Sequence, residues 1–225
     1  MASETEVERY LLEHPIFADV EGRIVQAFAA RCRFNAYPSG TMLLKQGQRG
    51  DVLMFLSSGA VHFRARLGAR AATLSILRAP AVFSLGAIIE QTSAMADAIA
   101  LDDVEVVSVE GFVVRDLMLA DPRFASNVTV QLSRTVRGFV RSVVEQKLLT
   151  GPKRLANFLA DEFDRQGQTA EIVLPFQRQV IASLLGMTPE NLSRAFALLE
   201  RHGVTNDRMR VTAKSLEAVR AFAQA

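Results

Sequence analysis

The sequence predicts an α+β fold of three consecutive parts, because its residue pattern changes twice along the chain. Residues 4–33 carry apolar side chains at helical spacing, and an interruption at His14-Pro15 predicts two short helices. Residues 34–110 form short runs of Val, Leu, Ile and Phe separated by turn residues, which is typical of a compact antiparallel β unit. A long helical pattern follows over residues 121–146, and Thr150-Gly151-Pro152 ends it. We therefore place the parts at residues 1–120, 121–150 and 151–225.

The long helical pattern contains a heptad seam. One interpretation is a helix packed only on its own domain, and the other is a coiled coil between two copies of the chain. A second stripe, formed by Val128, Val140 and Val144, could face the β unit and so leave the seam for a partner. A helix that is apolar on two sides usually has two neighbours, which favours the dimer. The seam residues are spaced 4, 3, 4, 3 and 4 apart: Ala125, Thr129, Leu132, Val136, Phe139 and Val143.

Composition excludes several classes of protein. No window approaches the ~20 apolar residues of a membrane span, and the N-terminus lacks the order of a secretion signal, so we expect a cytoplasmic protein. The single cysteine, Cys32, allows neither an internal disulfide nor an iron–sulfur cluster. Residues 151–225 hold ten basic and eight acidic side chains, against sixteen of each before them. This small excess is compatible with an anionic partner but does not establish one.

The third part contains the pattern of a helix-turn-helix. Such a motif needs a small residue where its helices touch, a glycine at the turn, and an apolar residue where the second helix packs back. Ala182, Gly186 and Leu192 meet these needs in order. Thr188 is a good N-cap and Pro189 suits the first helical position, so the second helix should begin there.

The outer, N-terminal end of this second helix is polar. Glu190, Asn191, Ser193 and Arg194 lie opposite its buried side. A recognition helix presents that end to base edges in the major groove, where Arg can bind guanine and Glu can accept from cytosine. The plainer alternative is that Glu190 only stabilises the helix N-terminus and Arg194 is a solvated surface charge.

Residues 203–211 predict a two-stranded hairpin with its turn near Asn206-Asp207, which completes a winged helix-turn-helix. Arg208 and Arg210 would then lie near DNA phosphates. The predicted DNA-binding residues are Arg178, Thr188, Glu190, Asn191, Ser193, Arg194, Arg208 and Arg210.

With these motifs in this order, the chain resembles the Crp/Fnr family of bacterial transcription regulators over nearly its whole length. Residues 40–47, followed by Gly59, are similar to the entry of the family's β-roll, and residues 153–159 to the opening of its DNA-binding domain. Glu190, Ser193 and Arg194 match the E-x-x-S-R pattern of Fnr-type recognition helices. The resemblance implies a cyclic-nucleotide-binding-like β-roll as sensor, a dimerisation helix, a homodimer that reads a palindrome of TTGAT-like half-sites, and RNA polymerase as a partner.

The resemblance also bears on the effector. The family's cyclic-nucleotide members hold the phosphate with a Glu and an Arg-Ser/Thr pair, and Ser84, Ala94 and Met95 occupy those positions here. Without the arginine, cyclic nucleotide binding in the usual mode is disfavoured. The expected pocket is apolar and contains Ser84, Leu85, Gly86, Ala94 and Met95.

Residues 11–17 and 192–196 resemble the Dnr/NnrR branch, which responds to nitric oxide and is thought to use haem. This resemblance implies haem as the cofactor, with His14 as the candidate axial ligand and with His62, His202 and Cys32 as the other candidates. A non-haem effector, such as an atypical cyclic nucleotide or another small molecule, stays open, as does a β-roll that binds a protein and no ligand. No pattern typical of an enzyme site is present, so we expect no catalytic activity.

Overall fold

The computed structural model describes residues 4–224. The chain divides into two compact units, and the division falls between Gly138 and Phe139, inside one long helix. Each unit is described by itself. Within residues 4–224, the helices are all too short or too polar to cross a membrane.

The first unit begins with two helices, as the sequence predicted. Helix α1 spans Glu4–Glu13 and α2 spans Gly22–Ala29, with a single 3-10 turn, Pro15–Phe17, between them. Proline at position 15 lacks the N–H that a continuing helix would need, so α1 ends before it. The turn buries Ile16 and Phe17 against the rest of the unit.

The β unit consists of two antiparallel four-stranded sheets. The first sheet has the strand order β1-β8-β3-β6 and the second β2-β7-β4-β5. The strands are β1 Arg33–Tyr37, β2 Met42–Leu44, β3 Val52–Ser58, β4 Ala60–Leu67, β5 Arg70–Arg78, β6 Ala81–Phe83, β7 Asp97–Ala100 and β8 Val104–Glu110. This arrangement confirms the predicted β unit.

Successive side chains of each strand point to opposite faces of the sheet, and this alternation gives the unit two apolar clusters. In β3, Leu53 and Phe55 point to the helices, whereas Met54 and Leu56 point to the space between the sheets. The cluster on the helix side includes Phe17, Phe28, Phe55, Phe124 and Val128. The inner cluster, which lies between the sheets, includes Leu56, Val61, Phe83, Ala94, Val104 and Val106.

The long helix α5 spans Pro122–Leu148 and follows α3, Leu85–Glu90, and α4, Gly111–Ala120. Val128 is fully buried on it, as expected for the stripe that faces the β unit, and so is Phe124, which the sequence analysis did not include. Val140 and Val144 lie in the second unit and are about half exposed, and their facing the β unit stays a prediction. A helix of 27 residues is about 40 Å long.

The second unit confirms the predicted winged helix-turn-helix. It contains α6 Gly151–Arg165, β9 Glu171–Val173, α7 Arg178–Leu184, α8 Pro189–Glu200, β10 Val204–Asp207, β11 Arg210–Ala213 and α9 Leu216–Gln224. The small sheet has the order β10-β11-β9. The predicted turn at Asn206-Asp207 is wrong by two residues, since Asp207 pairs with Arg210 and the turn is Arg208-Met209.

Phe124→Ala is expected to lower the free energy of unfolding by about 3–5 kcal/mol, because it removes a fully buried ring that contacts Phe17 and Phe28. Phe112→Ala is the matched control, since Phe112 is 48% exposed on α4. We expect the control to cost less than about 1 kcal/mol. Denaturant unfolding of both variants checks this, and equal losses would contradict the packing described here.

Candidate functional site

Helix α8 begins as the sequence predicted. Thr188 is the N-cap, and its hydroxyl oxygen accepts a hydrogen bond from the backbone N–H of Asn191 at 3.3 Å. Pro189 takes the first helical position, where its missing N–H costs nothing. Gly186 forms the turn between α7 and α8 with a φ of 62°, a left-handed conformation that favours glycine. The cap and the turn together fix the direction in which α8 leaves α7.

The buried side of α8 holds the two helices together. Leu192, Ala195, Phe196 and Leu199 are all nearly inaccessible, and Ala182 of α7 is 1% exposed. The opposite side at the N-terminal end carries Glu190, Asn191, Ser193 and Arg194, all of them exposed. The structure therefore brings four of the predicted DNA-binding residues together on one free surface.

Two of these side chains have partners within the helix. The pKa of Glu190 is below its ordinary value, chiefly because its carboxylate accepts a hydrogen bond from its own backbone N–H. The Thr188 hydroxyl and the charge of Arg194 lower the pKa further. The Ser193 hydroxyl donates to the carbonyl of Pro189 at 3.1 Å. Glu190 is thus an anionic acceptor at neutral pH, held close to the start of the helix.

Arg178 makes contacts that the sequence did not predict. Its guanidinium donates to the carbonyl oxygen of Arg208 and to the side-chain oxygen of Asn206, both in the wing. It also lies 5.0 Å from the ring centroid of Phe196 in α8. Arg178 therefore links the first residue of α7 to the wing turn and to the core of α8.

The two basic residues of the wing differ in their surroundings. Arg208 is exposed at the turn with a φ of 51°, and its carbonyl is held by Arg178. Arg210 forms an ion pair with Glu171 of β9. The roles of Arg178, Arg208 and Arg210 as DNA contacts stay predictions, and Arg208 is the one of the three whose side chain is free of these contacts within the described residues.

Arg154 makes structural contacts near the helix-turn-helix that the sequence did not predict. Its guanidinium donates to the carbonyls of Leu149 at 2.6 Å and Gln146 at 3.4 Å, at the end of α5. It also donates to the carbonyl of Leu185, at the helix-turn-helix turn, at 2.8 Å. The only sequence signal was the resemblance of residues 153–159 to the opening of a DNA-binding domain.

The five residues of the expected effector pocket do not share one environment. Ser84 has a φ of 77° and a buried hydroxyl that has no hydrogen-bond partner in the described part of the chain. Leu85 packs in the cluster on the helix side and Ala94 in the inner cluster. Gly86 is exposed and Met95 is 87% exposed. Phe63 and Phe83 stack edge to face at 5.4 Å beside the inner cluster.

The side chains of His14 and Cys32 are both hydrogen-bonded to the backbone. His14 is buried, its Nδ1 accepts from the N–H of Ile16, and its ring lies 5.1 Å from that of Phe55. Burial lowers the pKa of His14 to about 4, so the ring is neutral with its proton on Nε2. The Cys32 thiol donates to the Phe28 carbonyl, and burial raises its pKa to about 12. Neither offers a free lone pair or a thiolate to iron at neutral pH.

His62 differs from the other two histidines. It lies in β4, 9% exposed, and in the described structure neither ring nitrogen has a hydrogen-bond partner. Its pKa is lowered by burial and by the charge of Arg64, against the opposing effect of Asp97. His202, in contrast, follows α8 and stacks on Phe222 at 4.5 Å. Among residues 4–224, His, Cys, Asp and Glu form no cluster of three that could hold a metal ion.

Comparisons with known proteins agree with this architecture. Residues 34–121 match the cyclic nucleotide-binding domain, and residues 153–222 match the Crp-like helix-turn-helix domain. The chain belongs to the Crp/Fnr family of transcription regulators. A cyclic AMP receptor protein from Thermus thermophilus is 26% identical over 194 residues, which cover 84% of this chain and 87% of that one.

Two solved structures show the Crp/Fnr fold. FixK2 from Bradyrhizobium japonicum is 18% identical with a TM-score of 0.76, and the match covers 85% of this chain and 96% of FixK2. A putative transcriptional regulator of the Crp/Fnr family from Eubacterium rectale is 17% identical with a TM-score of 0.76, covering 94% and 99%. The two domain matches, and not these structures, identify the chain as a Crp/Fnr-type DNA-binding transcription regulator with a ligand-binding domain. Its place in the Dnr/NnrR branch stays a prediction.

Arg178→Gln is expected to loosen the wing of this Crp/Fnr regulator, because it removes the hydrogen bonds to Arg208 and Asn206 and the stacking on Phe196. We expect faster hydrogen exchange at the amides of residues 205–209 and a decrease of about 1–2 kcal/mol in stability. In the Arg178→Gln background, Asn206→Ala should lower the stability little further, since the two side chains share one hydrogen bond. Arg201→Gln, at an exposed position, is the control. Fully additive stability losses in the Arg178→Gln, Asn206→Ala double variant would contradict the contact between Arg178 and the wing.

Proposed function

We propose that the chain acts as a homodimer that reads a palindrome of TTGAT-like half-sites through α8 and couples this reading to an effector bound by the β-roll. The observation that carries the proposal is the exposed, polar N-terminal end of α8, formed by Glu190, Asn191, Ser193 and Arg194. This end projects from a helix whose other side is fully buried. The rest of the proposal follows from its chemistry and from the exposed seam of α5.

The residue types at this end suit the bases of a TTGAT-like half-site. Arg194 can donate two hydrogen bonds to guanine, and the ionised Glu190 can accept from the cytosine N4 of the opposite strand. These side chains are four residues apart and so lie on the same face of α8. An uncompensated carboxylate would otherwise repel a DNA surface, and a base contact explains its presence there.

Phosphate contacts would come from the groups around this end. Helix N-termini attract phosphates, and Thr188 lies at the N-terminus of α8. Arg208 at the wing turn is exposed and can reach a second phosphate. Arg178 supports the wing from within the domain, so its contribution to affinity would be partly indirect. RNA polymerase is the expected partner of the DNA-bound form.

The exposed apolar side chains of α5 support the dimer, although Leu132 of the seam packs against the cluster on the helix side. Apolar side chains that are 45–76% exposed follow one another along this helix: Val130, Val136, Phe139, Val140, Val143, Val144 and Leu148. A continuous exposed apolar surface of this kind marks an interaction site, and a heptad repeat favours a second copy of the same helix. Val140 and Val144, which are about half exposed, widen the proposed interface.

Haem is the sensing group that we propose for the nitric oxide response, and His62 is the residue that fits it. His62 offers a buried imidazole with a free nitrogen, whereas the only ring lone pair of His14 is taken by Ile16. Bound haem would supply the iron that binds nitric oxide. This assignment moves the candidate axial ligand from the N-terminal segment to β4.

Arg194→Ala is expected to weaken binding to a TTGAT palindrome by about 1–3 kcal/mol for each base that the arginine no longer binds, with a much smaller effect on random DNA. A mobility-shift comparison on the two DNAs at fixed salt measures the difference. Arg201→Ala, which follows the last turn of α8, is the matched control and should change neither affinity. Equal weakening on both DNAs would make Arg194 a phosphate ligand.

Val143→Glu is expected to convert the dimer into a monomer, because it places a carboxylate in the seam opposite its own copy. Sedimentation of the wild type at micromolar concentration should give about twice the chain mass of 24.7 kDa, and the variant about the chain mass. Thr135→Glu, off the seam on the same helix, should leave the dimer intact. A monomeric wild type would contradict the proposal.

Titration with stoichiometric haem is expected to shift and sharpen the Soret band relative to that of free haem, a change that His62→Ala abolishes or alters and that His14→Ala leaves intact. His202→Ala is the control for removal of a surface histidine. A spectrum in the wild type equal to that of free haem would rule out haem binding, and loss of the change only in His14→Ala would return the iron ligand to the N-terminal segment.

A further inference from the structure

A cleft of about 350 Å³ lies on the inner face of the first sheet. The strand register places Arg33 of β1 opposite Ser108 of β8, and Ser108 opposite Met54 of β3, so their side chains share that face. Further along the same strands, Val106 and Leu56 belong to the inner cluster that the second sheet covers. The cleft is the part of the face that this cover leaves open.

Apolar and polar side chains line the cleft in about equal measure. The apolar ones include Leu43, Val52 and Met54, which are partly exposed, and Val106, which is already buried. Arg31, Arg33 and Asn35 line one side, while Ser108 and Glu110 lie at the end of β8. Small-molecule sites typically have 300–1,000 Å³ and a few polar groups that orient the ligand.

The charges of the rim have no partners of their own. Among residues 4–224, neither Arg31 nor Arg33 forms an ion pair, and the Asn35 side chain makes no hydrogen bond. Other arginines of the β unit do pair, as Arg66 does with Asp97 and Arg49 with Asp51. Two guanidiniums against the single carboxylate of Glu110 give the cleft a net positive charge.

We propose that this cleft binds a small organic monoanion with an apolar body. Its carboxylate or sulfonate would pair with Arg33 and Arg31, and its body would cover Val52 and Met54. A single net positive charge suits one anionic group, and Glu110 disfavours a second at the far end. The site is separate from the expected effector segment, residues 84–95, and from His62. It goes beyond the proposed function and does not depend on DNA or haem binding.

The probe for this site is dansylglycine, a fluorescent carboxylate with a two-ring body, titrated into the full-length protein without DNA or haem. The matched ligand control is dansylglycinamide, which has the same body and no charge. We expect one saturable site per chain for the acid, and at least about tenfold weaker binding of the amide, because the amide cannot form the charge-assisted hydrogen bond.

Arg33→Gln should weaken binding of the acid by about tenfold and leave that of the amide unchanged. Arg31→Gln should act in the same direction, and the pair keeps the test valid if one variant fails to fold, as judged by circular dichroism. Arg23→Gln is the control, since Arg23 is exposed on α2, is paired with Glu21 and lies outside the cleft. Equal binding of acid and amide, unchanged binding in the Arg33 and Arg31 variants, or no saturable binding would each overturn the proposal.

Discussion

Four phenylalanine rings join the separate elements of the first unit. Phe17 lies in the turn after α1, Phe28 on α2, Phe55 on β3 and Phe124 on α5, and their centroids are 5.0–6.4 Å apart in the pairs that touch. Each ring contributes a large buried area, and the tilted and edge-on contacts fix their mutual orientation. The N-terminal helices, the first sheet and the start of the long helix all depend on this one cluster. The direction in which α5 leaves the β unit follows from it.

The features predicted well from the sequence were those that depend on neighbouring residues. Thr188, Pro189 and Gly186 act within a few residues of one another, so cap and turn chemistry was enough to place α7 and α8. The wing turn was misplaced because Arg208 adopts a left-handed conformation that its residue type does not signal. The pairing of Asp207 with Arg210 sets that turn, and strand pairing is not visible in the sequence of the turn itself.

The parts of the candidate site that escaped prediction depend on contacts between distant residues. Arg178 has the chemistry of a phosphate ligand, and only the fold shows its guanidinium on the wing 30 residues away. The sequence gives no sign that the His14 imidazole has a partner. In the fold, the chain turns at Pro15 and the Nδ1 atom of His14 accepts a hydrogen bond from the N–H of Ile16. Met95 is apolar, which favours a pocket, yet it is among the most exposed side chains. The cleft beside Arg33 exists because the second sheet covers only part of the inner face of the first sheet. How far this cover extends depends on the strand register, which the sequence does not reveal.

Arg154 has a mechanical consequence. One guanidinium holds the last carbonyls of α5 and the carbonyl of Leu185 at the same time, and Met187 packs on Gly151 between them. Bending the chain at residues 149–151 would break these hydrogen bonds together. The bonds therefore stiffen this junction, although its sequence has the Gly-Pro composition of a hinge. A rotation of the final turn of α5 would therefore move the turn between α7 and α8, and the recognition helix with it.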